Sequence, residues 1–300
     1  MSTATRMWFT CAAMTPGLLV LLALAPTGYL HNLGWSVLFA LSFELAAHRV
    51  RRAPLATASD GSVVITAFLI GCALPPGTSI YIIAVALAGA VILAKHLYGG
   101  LGQNLFNPAM VGYAIVLVSF PSAFTHYPIP QAHGEPVFAD TLFTDTTAST
   151  EPAAIDARSG ATMLTEFRFR DGLTVAEFNA ANRTVGTFGA AGWEWVNVGF
   201  LIGGLALLVT RIAAWRIPVA VLGSLGLLAL ACYDGGGSTS LGSPLFHWFS
   251  GSTMVAAFFV ATDPITHPSN ATGQWLYGLL VGVLIFCLRS FASYPDGIAF

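Results

Sequence analysis

Nine apolar runs divide this chain of 300 residues, at roughly 16–30, 33–47, 63–75, 79–95, 107–120, 194–212, 217–233, 249–262 and 275–288, and few charges interrupt them. Arg, Lys and Asp each cost roughly 2.5–3.5 kcal/mol at the centre of a membrane helix. A charged fraction of 9%, against ~25% in soluble domains, is what a polytopic membrane protein requires. The mean hydropathy of +0.73 says the same. The expected fold is all-α, with about ten transmembrane helices, the tenth begun by Gly297-Ile298-Ala299-Phe300. Trp193, Trp195, Trp215, Trp248 and Trp275 fall near run ends, where interfacial belts place them.

Several function classes fall away at once. A net charge of −2 without a basic patch argues against nucleic acid as a partner. Cys11, Cys72, Cys232 and Cys287 are far apart, with no Cys-x-x-Cys spacing to hold an iron–sulfur cluster. They read as small apolar packing residues. The seven histidines show no ligand spacing for zinc. Arg6 and the apolar stretch to Ala25 resemble a secretory signal. Pro26 follows directly and more apolar sequence comes next, so the stretch reads as a retained first helix.

The third and eighth runs are the shortest, and each ends at proline, Pro75-Pro76 and Asp263-Pro264. Gly61-Ser62 precedes Ala67-Phe68 at the same spacing as Gly251-Ser252 precedes Ala257-Phe258. Proline-interrupted segments at matching positions suggest two inverted five-helix repeats with discontinuous helices. The expected organisation is a first membrane repeat over 1–121, an extracytoplasmic loop over 122–192, and a second repeat over 193–300 whose last helix is incomplete. With the N-terminus cytoplasmic, Arg49, Arg51, Arg52, Lys95, Arg211 and Arg216 all fall inside, and only Arg289 violates the rule. The loop, with eight acidic and four basic residues, then lies outside.

Three polar stretches are candidates for chemistry. Asp156-Ala157-Arg158-Ser159-Gly160-Ala161-Thr162 is either an ordinary solvated turn or an attachment signal, since Asp-x-x-Ser-Gly-Ala-Thr resembles the motif at which FMN is joined through its phosphate to threonine. Ser250-Gly251-Ser252-Thr253 lacks the alanine and the upstream acid, and reads as a helix start capped by Ser or Thr. Gly99 to Pro108 is not a Walker loop. Asn107-Pro108 reads as a cap with proline in the first turn, and the stretch is either a re-entry turn or a site for an anion or polar cofactor. Glu44, Asp263 and His267 lie near run ends and read as interfacial.

Taken together, the chain resembles the D subunits of Rnf electron-transport complexes and, more distantly, the B subunits of sodium-translocating NADH:quinone oxidoreductases. The matching residues are Gly99–Gly102, Asn104 and Phe106 to Gly112, then Asp156 to Thr162. Next come Phe249 to Gly251, Ala257-Phe258-Phe259, Ala261 to Pro264, Arg289-Ser290-Phe291 and Tyr294 to Gly297. The resemblance implies FMN esterified to Thr162 by a separate flavin transferase, within the motif Asp156, Ser159, Gly160 and Ala161. It also implies a second, noncovalent flavin such as riboflavin in the membrane, with Asn107 as a contact. The implied partners are other membrane and peripheral subunits of an Rnf-type complex in the bacterial inner membrane, passing electrons between ferredoxin and NAD while moving Na⁺ or H⁺. The family continues through a full final helix, whereas this chain stops at Phe300. Lacking a nucleotide fingerprint and cluster cysteines, the chain reads as an electron relay and scaffold. The rival reading is a secondary transporter or channel for a small solute with no redox role, because broken helices suit that equally well.

The orientation yields a direct expectation. Single cysteines introduced into the 122–192 loop, in a background lacking the four native ones, react with an impermeant thiol reagent in intact cells. Labelling only after lysis would reverse the topology.

Overall fold

A computed structural model describes residues 2–52, 54, 60–124, 127–128, 159–160, 162–170, 172–182 and 185–292. Helix α1 (Thr3–Leu24) and helix α2 (Pro26–Arg51) are separated by Ala25 alone. The boundary therefore lies earlier than the expected gap near 31–32. A one-residue break leaves apolar periodicity almost unmarked, and Pro26 is the real signal, since a residue without an N–H suits the first helical turn. Helix α3 (Ser62–Ala73) is short. Helix α4 (Ile80–Leu97) changes to π-helical winding over Ala88–Leu97. Helix α5 (Pro108–Ser119) closes the first half.

Two short helices follow, α6 (Met163–Arg168) and α7 (Val175–Ala181), with a two-residue antiparallel ladder of Tyr127–Pro128 and Ser159–Gly160 beside them. The second half contains α8 (Trp193–Val209), α9 (Arg216–Ala231) and α10 (Pro244–Phe249). It continues with α11, Thr253–Val255 wound on as π-helical Ala256–Val260, and α12 (Ala271–Phe291). The described residues are thus predominantly helical. Among the described residues, three helices, α1, α4 and α12, are long and apolar enough to cross a membrane, while α3, α5, α8 and α9 are shorter apolar helices.

Close backbone approach organises the packing. A Cβ on Gly199 of α8 would come within 2.8 Å of the Gly17 Cα of α1, and one on Gly203 would overlap the Ala13 carbonyl. On α12, Gly278 and Gly282 stand against Ile217, Ala220, Val221 and Ser224 of α9 in the same way. Both pairs have the Gly-x-x-x-Gly spacing that lets helices touch where lipid removes any hydrophobic drive between them. The buried core includes Met14, Leu21, Tyr29, Ile83, Phe200 and Leu225, while Leu19, Val118, Val209 and Leu227 point outward. Cys11 and Cys72 are buried, as packing residues should be, but Cys287 is exposed on α12; all four are free thiols.

A second, smaller core lies at the end of the bundle marked by Trp193. Met163, Leu164 and Phe167 of α6 and Phe178 of α7 pack on Phe246 of α10. Arg170 lies over the Phe167 ring at 4.3 Å and ties this layer to the 238–240 loop through the Ser238 and Ser240 carbonyls. Thr174 caps α7 in a reciprocal box with Glu177, and its N–H and hydroxyl hold that carboxyl below the usual range.

The α1–α8 crossing should tolerate no side chain at its closest point. Gly203→Val is expected to destabilise the detergent-solubilised protein by about 1–3 kcal/mol or more, as overpacking does. Gly34→Ala, where an added Cβ meets nothing within 4 Å, should be neutral or slightly stabilising. Thermal melts of the two variants check the contrast.

Candidate functional site

The interruption expected at Pro75 is present, and buried amides complete the hydrogen bonding there and at the start of α11. Helix α3 stops at Ala73, and Leu74 turns extended. The side chain of Asn32 on α2 donates to the Leu74 and Pro75 carbonyls at 3.2 and 2.8 Å and accepts from Thr78 N–H at 3.1 Å. In the second half, Asn197 on α8 donates to the Gly251 carbonyl at 2.7 Å and accepts from Met254 N–H at 3.1 Å. Both amides are essentially inaccessible to solvent. The expected capping of α11 by its own Ser or Thr does not occur: Ser252 makes no side-chain cap, and Asn197 supplies it from another helix.

At the end marked by Arg51, a buried ionic cluster gathers from α2, α3 and α4. Lys95 Nζ donates to Glu44 Oε1 at 2.7 Å and to Ser62 Oγ at 2.9 Å. His96 Nε2 lies 2.9 Å from Glu44 Oε2, and Arg51 Nη1 lies 3.2 Å from His96 Nδ1. Arg51 can only donate, so His96 Nδ1 accepts, and the ring proton sits on Nε2, facing Glu44. Glu44 lies near a helix end, as its place in the sequence suggests, but it is enclosed there, with an exposure of 1%. Glu44, His48 and His96 approach within 4.8 Å of one another. Yet Lys95 already supplies the cation, and His48 Nδ1 is engaged with the Glu44 carbonyl at 3.0 Å.

The same cluster fixes the glycine-rich turn. Arg51 Nη2 donates to the Gly99 carbonyl at 2.6 Å. Gly99, Gly100 and Gly102 have φ of +118°, +103° and +93°, a region that L side chains rarely adopt. Asn107 caps α5 by accepting from Ala109 N–H at 3.0 Å, with Pro108 next, as its sequence suggests. A pocket opens between the two halves at this level. Its polar wall includes Lys95, Asn104, Asn107, Ser62 and Asp263, and its apolar wall includes Phe259. Asp263 thus faces a pocket between the halves, and His267 Nδ1 lies 2.7 Å from the Asp263 carbonyl.

At the Trp193 end, Arg289 resolves its apparent violation of the charge rule. It is 3% exposed and donates to the His247 and Ser250 carbonyls at 2.6 and 3.1 Å and to Thr253 Oγ1 at 2.9 Å. The cation is committed to the break before α11. Gly251, at φ +62°, lies between the Arg289 guanidinium and Leu164 of α6. Thr162 is the N-cap of that helix, half-buried; its hydroxyl donates to Thr165 Oγ1 at 3.2 Å and accepts from Thr165 N–H at 3.4 Å. Ser159 and Gly160 form the short strand just before it, while Asp156 and Ala161 lie outside the described residues. Glu194, buried on α8, accepts from the N–H groups of Thr187, Phe188 and Gly189, fixing the approach to the bundle.

Comparison with known proteins identifies the family. The model of the "NQR2, RnfD, RnfE family" matches residues 1–300. The chain is 45% identical over 289 residues to the D subunit of the ion-translocating oxidoreductase complex of Pseudomonas paraeruginosa, covering 96% of this chain and 83% of that protein. It is 40% identical over 311 residues to the protein of the same description from Aeromonas salmonicida, covering 99% and 88%.

Removing the guanidinium should open the Trp193 end. Arg289→Met removes a donor from three buried oxygens, and the one Thr253 hydroxyl is left to serve both the His247 and Ser250 carbonyls, at a cost of roughly 1–3 kcal/mol. The expected result is a lower melting temperature together with faster proteolysis within 162–192, read by limited digestion. Unchanged digestion of that segment would show that α6 is seated independently of Arg289.

Proposed function

The chain belongs to the NQR2, RnfD, RnfE family, and on that premise we propose that it is the membrane flavoprotein subunit of a complex coupling electron transfer between ferredoxin and NAD to translocation of Na⁺ or H⁺. Its relatives are named as subunits of an ion-translocating oxidoreductase complex, so this chain is a working part of a translocase rather than a complete enzyme. Its partners are other membrane and peripheral subunits, together with the flavin transferase that matures it.

The observation that carries the reading is the contrast between two threonines. Thr253 is fully buried, and its hydroxyl donates to the His247 and Ser250 carbonyls. Thr162 is accessible at the head of a short helix that is itself packed firmly on α10. An ester there retains an oxygen able to accept from Thr165 N–H, so the residues present fit a phosphate-linked FMN. Bound at Thr162, FMN supplies reversible electron uptake, with its ring chemically unmodified. The seat formed by Leu164, Gly251 and Arg289 holds the attachment point against the bundle, so the electron site has a defined place relative to the membrane helices.

We assign the pocket between the halves to the second, noncovalent flavin, such as riboflavin. Amide groups of Asn104 and Asn107 on one side and the ring of Phe259 on the other suit a flat heterocycle with a polar edge. The basic residues at the ends of α4 and α12 support the inverted repeat: Lys95 reaches Ser62 at the start of α3, and Arg289 reaches Thr253 at the start of α11. On this reading residues 1–121 and 193–300 are inverted five-helix repeats of a ten-helix bundle in the bacterial inner membrane. The N-terminus is then cytoplasmic, and the 122–192 loop is periplasmic.

Thr162→Val retains the shape and removes the attachment oxygen. In-gel flavin fluorescence of the denatured subunit should vanish, and electron flow through the complex should fall at least about tenfold, some 1.4 kcal/mol in the barrier. Thr253→Val should keep the fluorescence. Retention of covalent flavin by the Thr162 variant would remove the attachment assignment and favour a carrier without redox chemistry.

A further inference from the structure

Lys95 belongs to two structures at once. Its ammonium pairs with the buried Glu44 carboxylate at 2.7 Å, and the same side chain forms part of the pocket wall with Asn104, Asn107 and Asp263. Glu44 is not in that wall. Beyond Glu44, the ring proton of His96 faces the other carboxylate oxygen, and Arg51 approaches the far side of His96. The cluster is therefore layered. A cation stands next to the pocket, an anion behind it, and a neutral ring and a second cation come further back.

From this layering we propose that Lys95 sets the reduction potential of the flavin in the pocket by dividing its charge between Glu44 and the flavin ring. The inference rests on the assignment of that pocket to a noncovalent flavin. Electrons arrive from the donor subunits and leave to the next acceptor, and no bond in this chain forms or breaks. Each electron gained adds negative charge in a region of low dielectric, where a neighbouring ammonium acts far more strongly than in water. Glu44 limits the effect by drawing on the same charge. Coupling is reciprocal by linkage: the free energy by which the Glu44–Lys95 pair shifts reduction of the ring equals that by which reduction shifts the pair. Reduction is thereby felt at a carboxylate that does not touch the pocket.

The test uses the assembled complex carrying Thr162→Val, so that the covalent flavin does not obscure the signal. Noncovalent flavin is counted after denaturation, and its midpoint potential is measured by spectroelectrochemical titration. Lys95→Gln should retain the flavin and lower its potential, because the reduced form loses its cation while Glu44 remains. Lys95→Arg should stay near the parent value. The double variant Lys95→Gln/Glu44→Gln, which leaves no unpaired charge of this pair, should fall between the parent and Lys95→Gln, and it serves if the single variant does not assemble. An unchanged potential in variants that retain the flavin would overturn the proposal, as would loss of flavin from both the single and the double variant. If the Thr162→Val parent itself held no flavin, the pocket assignment beneath it would fall instead.

Discussion

An interrupted helix inside a low-dielectric bundle leaves carbonyl and N–H groups without intrahelical partners, and no solvent is there to accept them. The architecture of this chain depends on how those groups are satisfied. Asn32 bridges the end of α3, Asn197 completes the start of α11, and Arg289 holds the turn before it. Each of these side chains comes from a different helix, so the breaks are tied into the bundle rather than left as loops. Close glycine contacts, Gly28 against Pro76 and Gly204 against Phe258, bring these backbones near enough for the two amides to reach. Packing and polar satisfaction are therefore one arrangement, and neither survives without the other.

Charge is handled by the same rule. The two deeply buried basic residues that close the halves, Lys95 and Arg289, are engaged differently. Lys95 meets a carboxylate, whereas Arg289 is surrounded by carbonyl and hydroxyl oxygens. A buried ion pair contributes little net stability compared with an apolar replacement, so the Glu44–Lys95 contact is better understood as a functional arrangement than as a brace. Its position beside a pocket that gathers polar residues from both halves fits that view.

Much of this is legible in the residues themselves. The helical class follows from charge depletion, the ends at Pro75 and Pro264 from proline, and the α5 cap from Asn107-Pro108. Thr162 stands out by its string alone, and it is half-buried where Thr253 is fully buried. What stays hidden depends on long-range contact. Glu44 and Lys95 are 51 residues apart, and nothing local tells a carboxylate at a run end that it will be enclosed. Asn32 and Asn197 carry little signal of their own, since the first falls between two apolar runs and the second near the start of one. The α1–α2 boundary escapes the pattern of apolar runs because hydropathy averages over a break one residue long.

The winding of α4 has an evolutionary corollary. Over Ala88–Leu97 the helix is widened to i→i+5 hydrogen bonding, so successive side chains diverge by a smaller angle than in an α-helix. That is how two neighbours in sequence, Lys95 and His96, can each address a different oxygen of the single Glu44 carboxylate. The constraint falls on the length of the segment as well as on its composition. Conservative replacements along its lipid-facing side leave the winding intact. Deletion of one residue would let the turn relax to ordinary α geometry and swing one of the two partners away. Descendants of this sequence are thus freer to change letters in α4 than to lose one.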